Sequence, residues 1–305
     1  MMMLEPLAFH RLRGMLARDA SLARHTTWRV GGNADLLYTP ADRDDLAQFL
    51  RSLPACMPVT MLGLGSNVLV RDGGIRGVVV LMHRPGAAVA VADGLIYADA
   101  GLASPKLARF AALHGCADAE FLAGIPGTIG GALAMNAGCY GGETWRHVAR
   151  VETLARDATF AIRTALDYAI GYRSVRSADG SALSETFTAA WFRFPGGDSA
   201  SGRAQIKALL ARRIATQPLS LPNAGSVFRN PTGDHAARLI EACGLKGHAI
   251  GGARVSERHA NFIVNPDRRA RAADIEQLIG HVQAVVHARA SVLLEPEVRV
   301  LGEAA

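Results

Sequence analysis

The sequence predicts a two-domain protein of mixed helix and strand, and three observations carry that prediction. Segments with apolar residues at helical spacing interleave with strand-like runs along the whole chain. A run of glycines and small residues, Leu122 to Gly142, interrupts them near the middle. The segment Pro195-Gly196-Gly197-Asp198-Ser199-Ala200-Ser201-Gly202 is the clearest linker, and the domain boundary is placed there. With 305 residues, 50% apolar and 20% charged, the chain is long enough to bury a sizeable core.

In order, the opening MMMLEPLAFHRLRGMLARDA has its apolar pattern broken by Glu5, His10, Arg11 and Arg13. It reads as a short amphipathic helix and carries no targeting or membrane signal. A short strand at 34–38 precedes a helix at 39–53, with Thr39 and Pro40 at its N-cap and first position and Leu46, Phe49, Leu50 and Leu53 at helical spacing. Residues 59–82 hold strand-like runs on either side of Gly63-Leu64-Gly65-Ser66-Asn67. A Rossmann fingerprint would need a glycine where Val68 stands and a helix afterwards; Val68-Leu69-Val70 reads as strand, so that reading is rejected. Alternation from 87 to 100 around Asp93-Gly94 predicts a hairpin, because a type I′ turn favours that dipeptide. Ser104-Pro105 opens a helix through Leu107, Phe110 and Leu113 that stops at Gly115. Strands follow over 148–170 and 185–194, with Gly171-Tyr172-Arg173-Ser174-Val175-Arg176 as a loop between them. The C-terminal part predicts a helix carrying Ile206, Leu209, Leu210 and Ile214, and a second from Asp234 to Cys243 ending at Gly244. A third bears Ile275, Leu278, Ile279, Val282, Val285 and Val286 on one face, the pattern of a core helix. The closing SVLLEPEVRVLG is strand-like, and Pro296 confines it to an edge or a strand start.

Chemistry concentrates in the glycine-rich run. Seven glycines (124, 127, 130, 131, 138, 141 and 142) leave backbone N–H groups open to close approach, while Ile125, Ile129, Leu133 and Met135 between them belong at least partly inside. The run is either a cradle for a pyrophosphate or a string of surface turns. The Gly63–Asn67 loop offers a second set of backbone, hydroxyl and amide donors. The net charge of +6 comes from basic residues scattered without a tract, which argues against nucleic acid. It reflects either steering of anionic small molecules or a generally basic surface. Cys56, Cys116, Cys139 and Cys243 form no CxxC pair, so neither a zinc site nor a disulfide framework is expected, and a reducing cytoplasm fits best.

Seven blocks then carry a resemblance: Thr26-Thr27-Trp28-Arg29-Val30-Gly31-Gly32-Asn33-Ala34-Asp35, GLGSNVLV, AGIPGTIGGALAMNAGCYGG, Gly171-Tyr172-Arg173-Ser174, PNAGSVFRNP, GGARVSERHANFIVN and EPEVRVLG. In order and over nearly the whole chain, they closely resemble the UDP-N-acetylenolpyruvoylglucosamine reductases, flavoenzymes of bacterial peptidoglycan precursor synthesis. The short region between Arg173 and the linker is similar to that family's shorter class. The resemblance implies an α+β fold: an N-terminal segment to residue 22, a bipartite FAD-binding domain of the vanillyl-alcohol-oxidase type over 23–201, and a smaller α+β substrate-binding domain over 202–305. It also implies that NADPH reduces the flavin and that UDP-N-acetylenolpyruvoylglucosamine receives the hydride, giving UDP-N-acetylmuramate.

By the same resemblance Ser226 is the proton donor to C2 of the enolpyruvyl group, and Arg173 and Glu297 stabilise the enolate form of its carboxylate. Glu297 would have to be protonated or share a proton, a state that burial favours. Glu295, two residues earlier, is the competitor; the family's acid belongs to the segment Glu297-Val298-Arg299. FAD, held noncovalently, is assigned to Gly63, Gly65, Ser66, Asn67 and Val68 and to Pro126, Gly127, Thr128, Gly130, Gly131, Asn136, Ala137 and Gly138. Asn136 either bonds the flavin or caps a turn. Arg213, Gln217 and Asn223 lie where the family binds the uridine diphosphate. His259 and Asn261 read as structural, His259 as a satisfied core histidine beside Phe262. A cytoplasmic monomer with small-molecule substrates, no metal, no nucleic acid and no membrane is expected. Two rivals remain: a flavin oxidase on the same fold, and a catalytically silent flavin or nucleotide-sugar binding protein.

Overall fold

The computed structural model describes residues 12–305. The chain forms two compact units, each assembled from separate stretches. The first takes residues up to Arg18, Leu36–Gly63 and Gly77–Leu209; the second takes Asp19–Asp35, Leu64–Arg76 and Leu210–Ala305. The linker expected at 195–202 does not interrupt structure throughout, because a helix, Ser199–Thr216, begins inside it and runs on.

A four-stranded sheet has the order Met15–Ser21, Asn33–Thr39, Ile75–Leu81, Val59–Leu62. Met15–Ser21 therefore corrects the expected N-terminal helix: paired at a sheet edge, it takes the conformation its neighbour imposes, and the rest of that segment, residues 1–11, lies outside the described residues. The last two strands run parallel, Val59 opposite Val78 through Leu62 opposite Leu81. In the first unit the helix Arg43–Ser52 buries Leu46, Phe49 and Leu50 against Leu36, Tyr38, Val78, Val80 and Leu154. Its cap corrects the sequence expectation. Asp42, not Thr39, closes the helix start, accepting the Asp45 N–H at 2.9 Å, while Thr39 ends the preceding strand.

The same unit holds a five-stranded antiparallel sheet in the order Phe160–Arg163, Val148–Leu154, Thr186–Phe192, Leu95–Asp99, Val89–Ala92. Its last hairpin turns at Asp93 and Gly94, with φ of 52° and 72°, the two positive values a type I′ turn requires. The helix Ser104–Leu113 starts with Pro105 in its first turn and is followed by Gly115 at φ 66°. Residues 171–176 are not a loop: Tyr168–Gly171 and Ser174–Ser177 pair as a hairpin whose two-residue turn is Tyr172-Arg173.

In the second unit the helix Ala272–Ala290 drives Ile275, Leu278, Ile279, Val282 and Val286 into a core with Trp28, Val30, Leu69, Phe228, Leu239 and Ile240; Val285 is only partly covered. The Asp72 carboxylate accepts the Ala272 and Ala273 N–H groups, both at 2.9 Å, and so binds the positive end of that helix. Trp28 is fully buried, donating from Nε1 to the Ile263 carbonyl at 2.7 Å. A small antiparallel sheet, Ala249–Ile250, Ala253–Val255 and Ile263–Val264, lies beyond the reach of periodicity because its strands are so short. The closing strand-like run contracts to Arg299–Leu301, parallel to Val68–Val70, with Pro296 ahead of the ladder.

Asp45 is a buried acid of the first unit that serves three donors. It accepts from the Tyr38 hydroxyl at 2.5 Å, the Arg13 N–H at 2.8 Å and the Ala41 N–H at 2.9 Å. Burial alone would raise its pKa, but these donors outweigh it and hold the carboxyl below its ordinary 3.8. A depressed carboxyl stabilises the fold above the unfolded pKa and loses that contribution as pH falls through the folded one. Asp45→Asn should therefore cost about 2 kcal/mol in urea unfolding at neutral pH, and the deficit should shrink towards pH 3.

Candidate active site

The first unit presents the glycine-rich run as bare backbone over a packed floor. A 3-10 turn, Glu120–Gly124, leads through Pro126 and Gly127 into the short helix Ile129–Met135, capped by Thr128, whose hydroxyl accepts the Gly131 N–H at 3.3 Å. Ile125, Ile129 and Leu133 are buried and Met135 is half-buried, while Pro126 and Gly131 are exposed. A β-carbon at Gly63 would stand 2.6 Å from Thr128 Oγ1, so Gly63 lies against the start of that helix only because it lacks one. No acidic residue occurs from 121 to 142 or from 63 to 68. Backbone donors, hydroxyls and small size without carboxylates form a donor set that fits the diphosphate of FAD.

The short helix ends at Asn136, left-handed at φ 44° and buried. Its Oδ1 accepts the Trp145 N–H at 3.1 Å, and its Nδ2 donates to the Gly171 carbonyl at 3.2 Å and to Glu143 Oε2 at 3.3 Å. These are the bonds of a residue that holds turns together. Arg173, left-handed at φ 52° in the hairpin turn, donates from Nη2 to the Gly138 carbonyl at 2.7 Å and from Nη1 to the Asn136 carbonyl at 3.5 Å. Arg173 is thus brought to the part of the glycine-rich run that follows the short helix, at Asn136 and Gly138.

In the second unit, Thr27 donates from its N–H and hydroxyl to the Gly65 carbonyl, at 3.0 and 3.3 Å. Ser66 is half-buried, and Asn67 donates from Nδ2 to the Glu297 carbonyl at 3.1 Å and accepts the Arg299 N–H at 3.1 Å; Val68 opens the strand beside Arg299–Leu301. Ser226 follows Gly225, which takes φ 75°, and is itself half-buried. The next residue, Val227, is fully buried and accepts the Glu297 N–H at 2.7 Å. Ser226 and Glu297 therefore sit on adjoining extended segments. Glu295, whose side chain is 72% exposed, lies 3.7 Å from Arg229, whereas Glu297 is half-buried.

The residues expected at the uridine diphosphate are engaged locally. Arg213 Nε donates to Gln217 Oε1 at 2.8 Å at the end of Ser199–Thr216, and Asn223 donates to the Leu221 carbonyl at 2.7 Å and accepts the Gly225 N–H at 2.9 Å. Arg173 belongs to the first unit, and Ser226, Glu297, Arg213, Gln217 and Asn223 to the second. His259 is shielded as expected but not satisfied: its Nδ1 is buried without a hydrogen-bond partner, and burial, then the charge of Lys246, pulls its pKa below 6.5. Among the described residues no cluster of histidine, cysteine and acidic side chains has the makings of a metal site.

Comparison with known proteins covers both units. Residues 34–161 match an FAD binding domain, and residues 217–301 match the C-terminal domain of UDP-N-acetylenolpyruvoylglucosamine reductase. The chain is 54% identical to the UDP-N-acetylenolpyruvoylglucosamine reductase of Thiobacillus denitrificans, over 96% of this chain and 94% of that one. It is 55% identical to that of Methylococcus capsulatus, over 96% and 95%. The crystal structure of the enzyme from Thermus caldophilus superposes with a TM-score of 0.78 at 31% identity, covering 95% of this chain and all of the other. Near-complete coverage at such identity, with the FAD and C-terminal domain matches in the expected order, places this chain in the UDP-N-acetylenolpyruvoylglucosamine reductase family.

Proposed function

We propose that this chain reduces UDP-N-acetylenolpyruvoylglucosamine to UDP-N-acetylmuramate with electrons from NADPH carried by FAD, a step of peptidoglycan precursor synthesis. It is an FAD-dependent oxidoreductase acting on a small molecule. The observation that carries the residue-level reading is the bond from Glu297 N–H to the Val227 carbonyl, which sets the proposed proton donor and the proposed acid on neighbouring backbone.

FAD would supply the two-electron hydride chemistry between NADPH and C3 of the enolpyruvyl group. Gly63, Gly65, Ser66, Asn67 and Val68, with Pro126, Gly127, Thr128, Gly130, Gly131, Asn136, Ala137 and Gly138, would hold it without a covalent link. Ser226 protonates C2. A serine hydroxyl is a very weak acid, so the step needs a strongly basic carbon and tight geometry. Arg173 offers fixed positive charge to the substrate carboxylate as negative charge gathers there, and Glu297, carrying a proton, donates to the same group. Arg213, Gln217 and Asn223 receive the uridine diphosphate; Arg213 and Gln217 would exchange their mutual bond for phosphate contacts.

FAD binds to residues 23–201 and the substrate mainly to 202–305, in a cytoplasmic monomer that engages neither nucleic acid nor membrane. Among the described residues no helix is long and apolar enough to cross a membrane. Ser226→Ala should leave NADPH-driven flavin reduction near the parent rate while slowing turnover about 100-fold or more. Turnover within a fewfold of the parent would remove Ser226 from the role of acid.

A further inference from the structure

We propose that Asn261 is a positioning residue for Ser226, its carboxamide fixing the backbone that aims the serine hydroxyl. The inference rests on the reading of Ser226 as proton donor. On the N-terminal side of Ser226, Gly225 stands at φ 75° with its N–H held by Asn223 Oδ1 at 2.9 Å, which fixes one end of the segment. The direction of Ser226 then depends on how the residues after it are held.

Those residues are held by one residue, Asn261, through its main chain at Val227 and its side chain at Phe228. The Val227 N–H donates to the Asn261 carbonyl at 2.9 Å, the Phe228 N–H donates to Asn261 Oδ1 at 2.9 Å, and Asn261 Nδ2 donates to the Phe228 carbonyl at 2.8 Å. The carboxamide meets Phe228 as a neighbouring strand would, with donor and acceptor side by side. On the opposite edge, Glu297 N–H donates to the Val227 carbonyl and Arg229 N–H to the Glu295 carbonyl, at 2.7 and 2.9 Å. The segment after Ser226 is therefore clamped between Asn261 and the strand-like stretch that carries Glu297. Val227, Phe228 and Asn261 are all buried, so water cannot replace a lost bond. Asparagine alone among small residues supplies the pair: aspartate would set an acceptor against the Phe228 carbonyl, and alanine leaves both Phe228 groups unmet.

Asn261 touches neither substrate nor flavin in this account, so its effect should be confined to the step Ser226 performs. The test uses the FAD-loaded full chain in anaerobic stopped flow, reading flavin reduction by NADPH and reoxidation by UDP-N-acetylenolpyruvoylglucosamine separately, in water and in deuterium oxide. Asn261→Ala should slow reoxidation about tenfold or more and enlarge its solvent isotope effect, with flavin reduction changed by less than about twofold and substrate KM by less than about threefold. Combined with Ser226→Ala, it should add less than about twofold, because the group it positions is gone. If Asn261→Ala fails to fold, as read by thermal melting and flavin content, Asn261→Ser, which can keep one bond to Phe228, takes its place in the same measurements. Equal slowing of both half-reactions, or full multiplication with Ser226→Ala, would overturn the proposal while leaving the role of Ser226 intact. A Ser226→Ala protein with unimpaired reoxidation would remove both.

Discussion

A β-carbon at position 63 would lie 2.6 Å from Thr128 Oγ1, and one at position 130 would lie 3.0 Å from the Ala100 β-carbon. The first unit depends on those missing atoms. Gly63 packs against the Thr128 side chain and Gly130 against Ala100, over a buried floor of Ile125, Ile129 and Leu133. The N–H groups of residues 129–132 are bonded within the fold, to Leu102, Ala100 and Thr128, which fixes the surface proposed to receive the FAD diphosphate. The same run then turns left-handed at Asn136, whose amide ties Trp145, Glu143 and the Gly171 hairpin together, and that hairpin delivers Arg173. The proposed cofactor cradle and the proposed catalytic arginine are thus joined through Asn136 and Gly138.

The second unit reaches its order by a different device. Three separated stretches, 19–35, 64–76 and the C-terminal part, share one core, with Trp28 sealed under the Ile263 carbonyl and Leu69 and Phe228 among its neighbours. On that core the chain lays Ser226–Arg229 beside 295–297 and Asn67 beside both Glu297 and Arg299. Short extended segments replace a large sheet, and main-chain bonds to asparagine side chains stand in for strands that are absent at those edges.

Features with a strong local cause were legible in the sequence. Asp93-Gly94 makes its hairpin because few dipeptides accept two positive φ values, and the apolar stripe of Ala272–Ala290 survives because its helix is long enough to average out exceptions. The motif blocks around Gly63, Gly127, Arg173, Ser226 and Glu297 were legible as a resemblance and not as geometry. What escaped was non-local. Met15–Ser21 is a strand because a distant partner makes it one, Tyr172-Arg173 is a tight turn with no glycine at either central position, and the units interleave stretches that no linker separates. Asn261 gave no signal as a clamp, since a buried asparagine before phenylalanine looks like any turn until its partner two strands away is known.

The most direct measurement of the central claim is anaerobic. The isolated protein should show the visible spectrum of bound, unmodified FAD, lose it on reduction by NADPH, and recover it rapidly when UDP-N-acetylenolpyruvoylglucosamine is added, with UDP-N-acetylmuramate formed in step. A flavin that stays reduced with that substrate and reoxidises only when oxygen is admitted would contradict the reductase account in favour of an oxidase. Undamaged protein that holds no flavin would contradict the cradle itself.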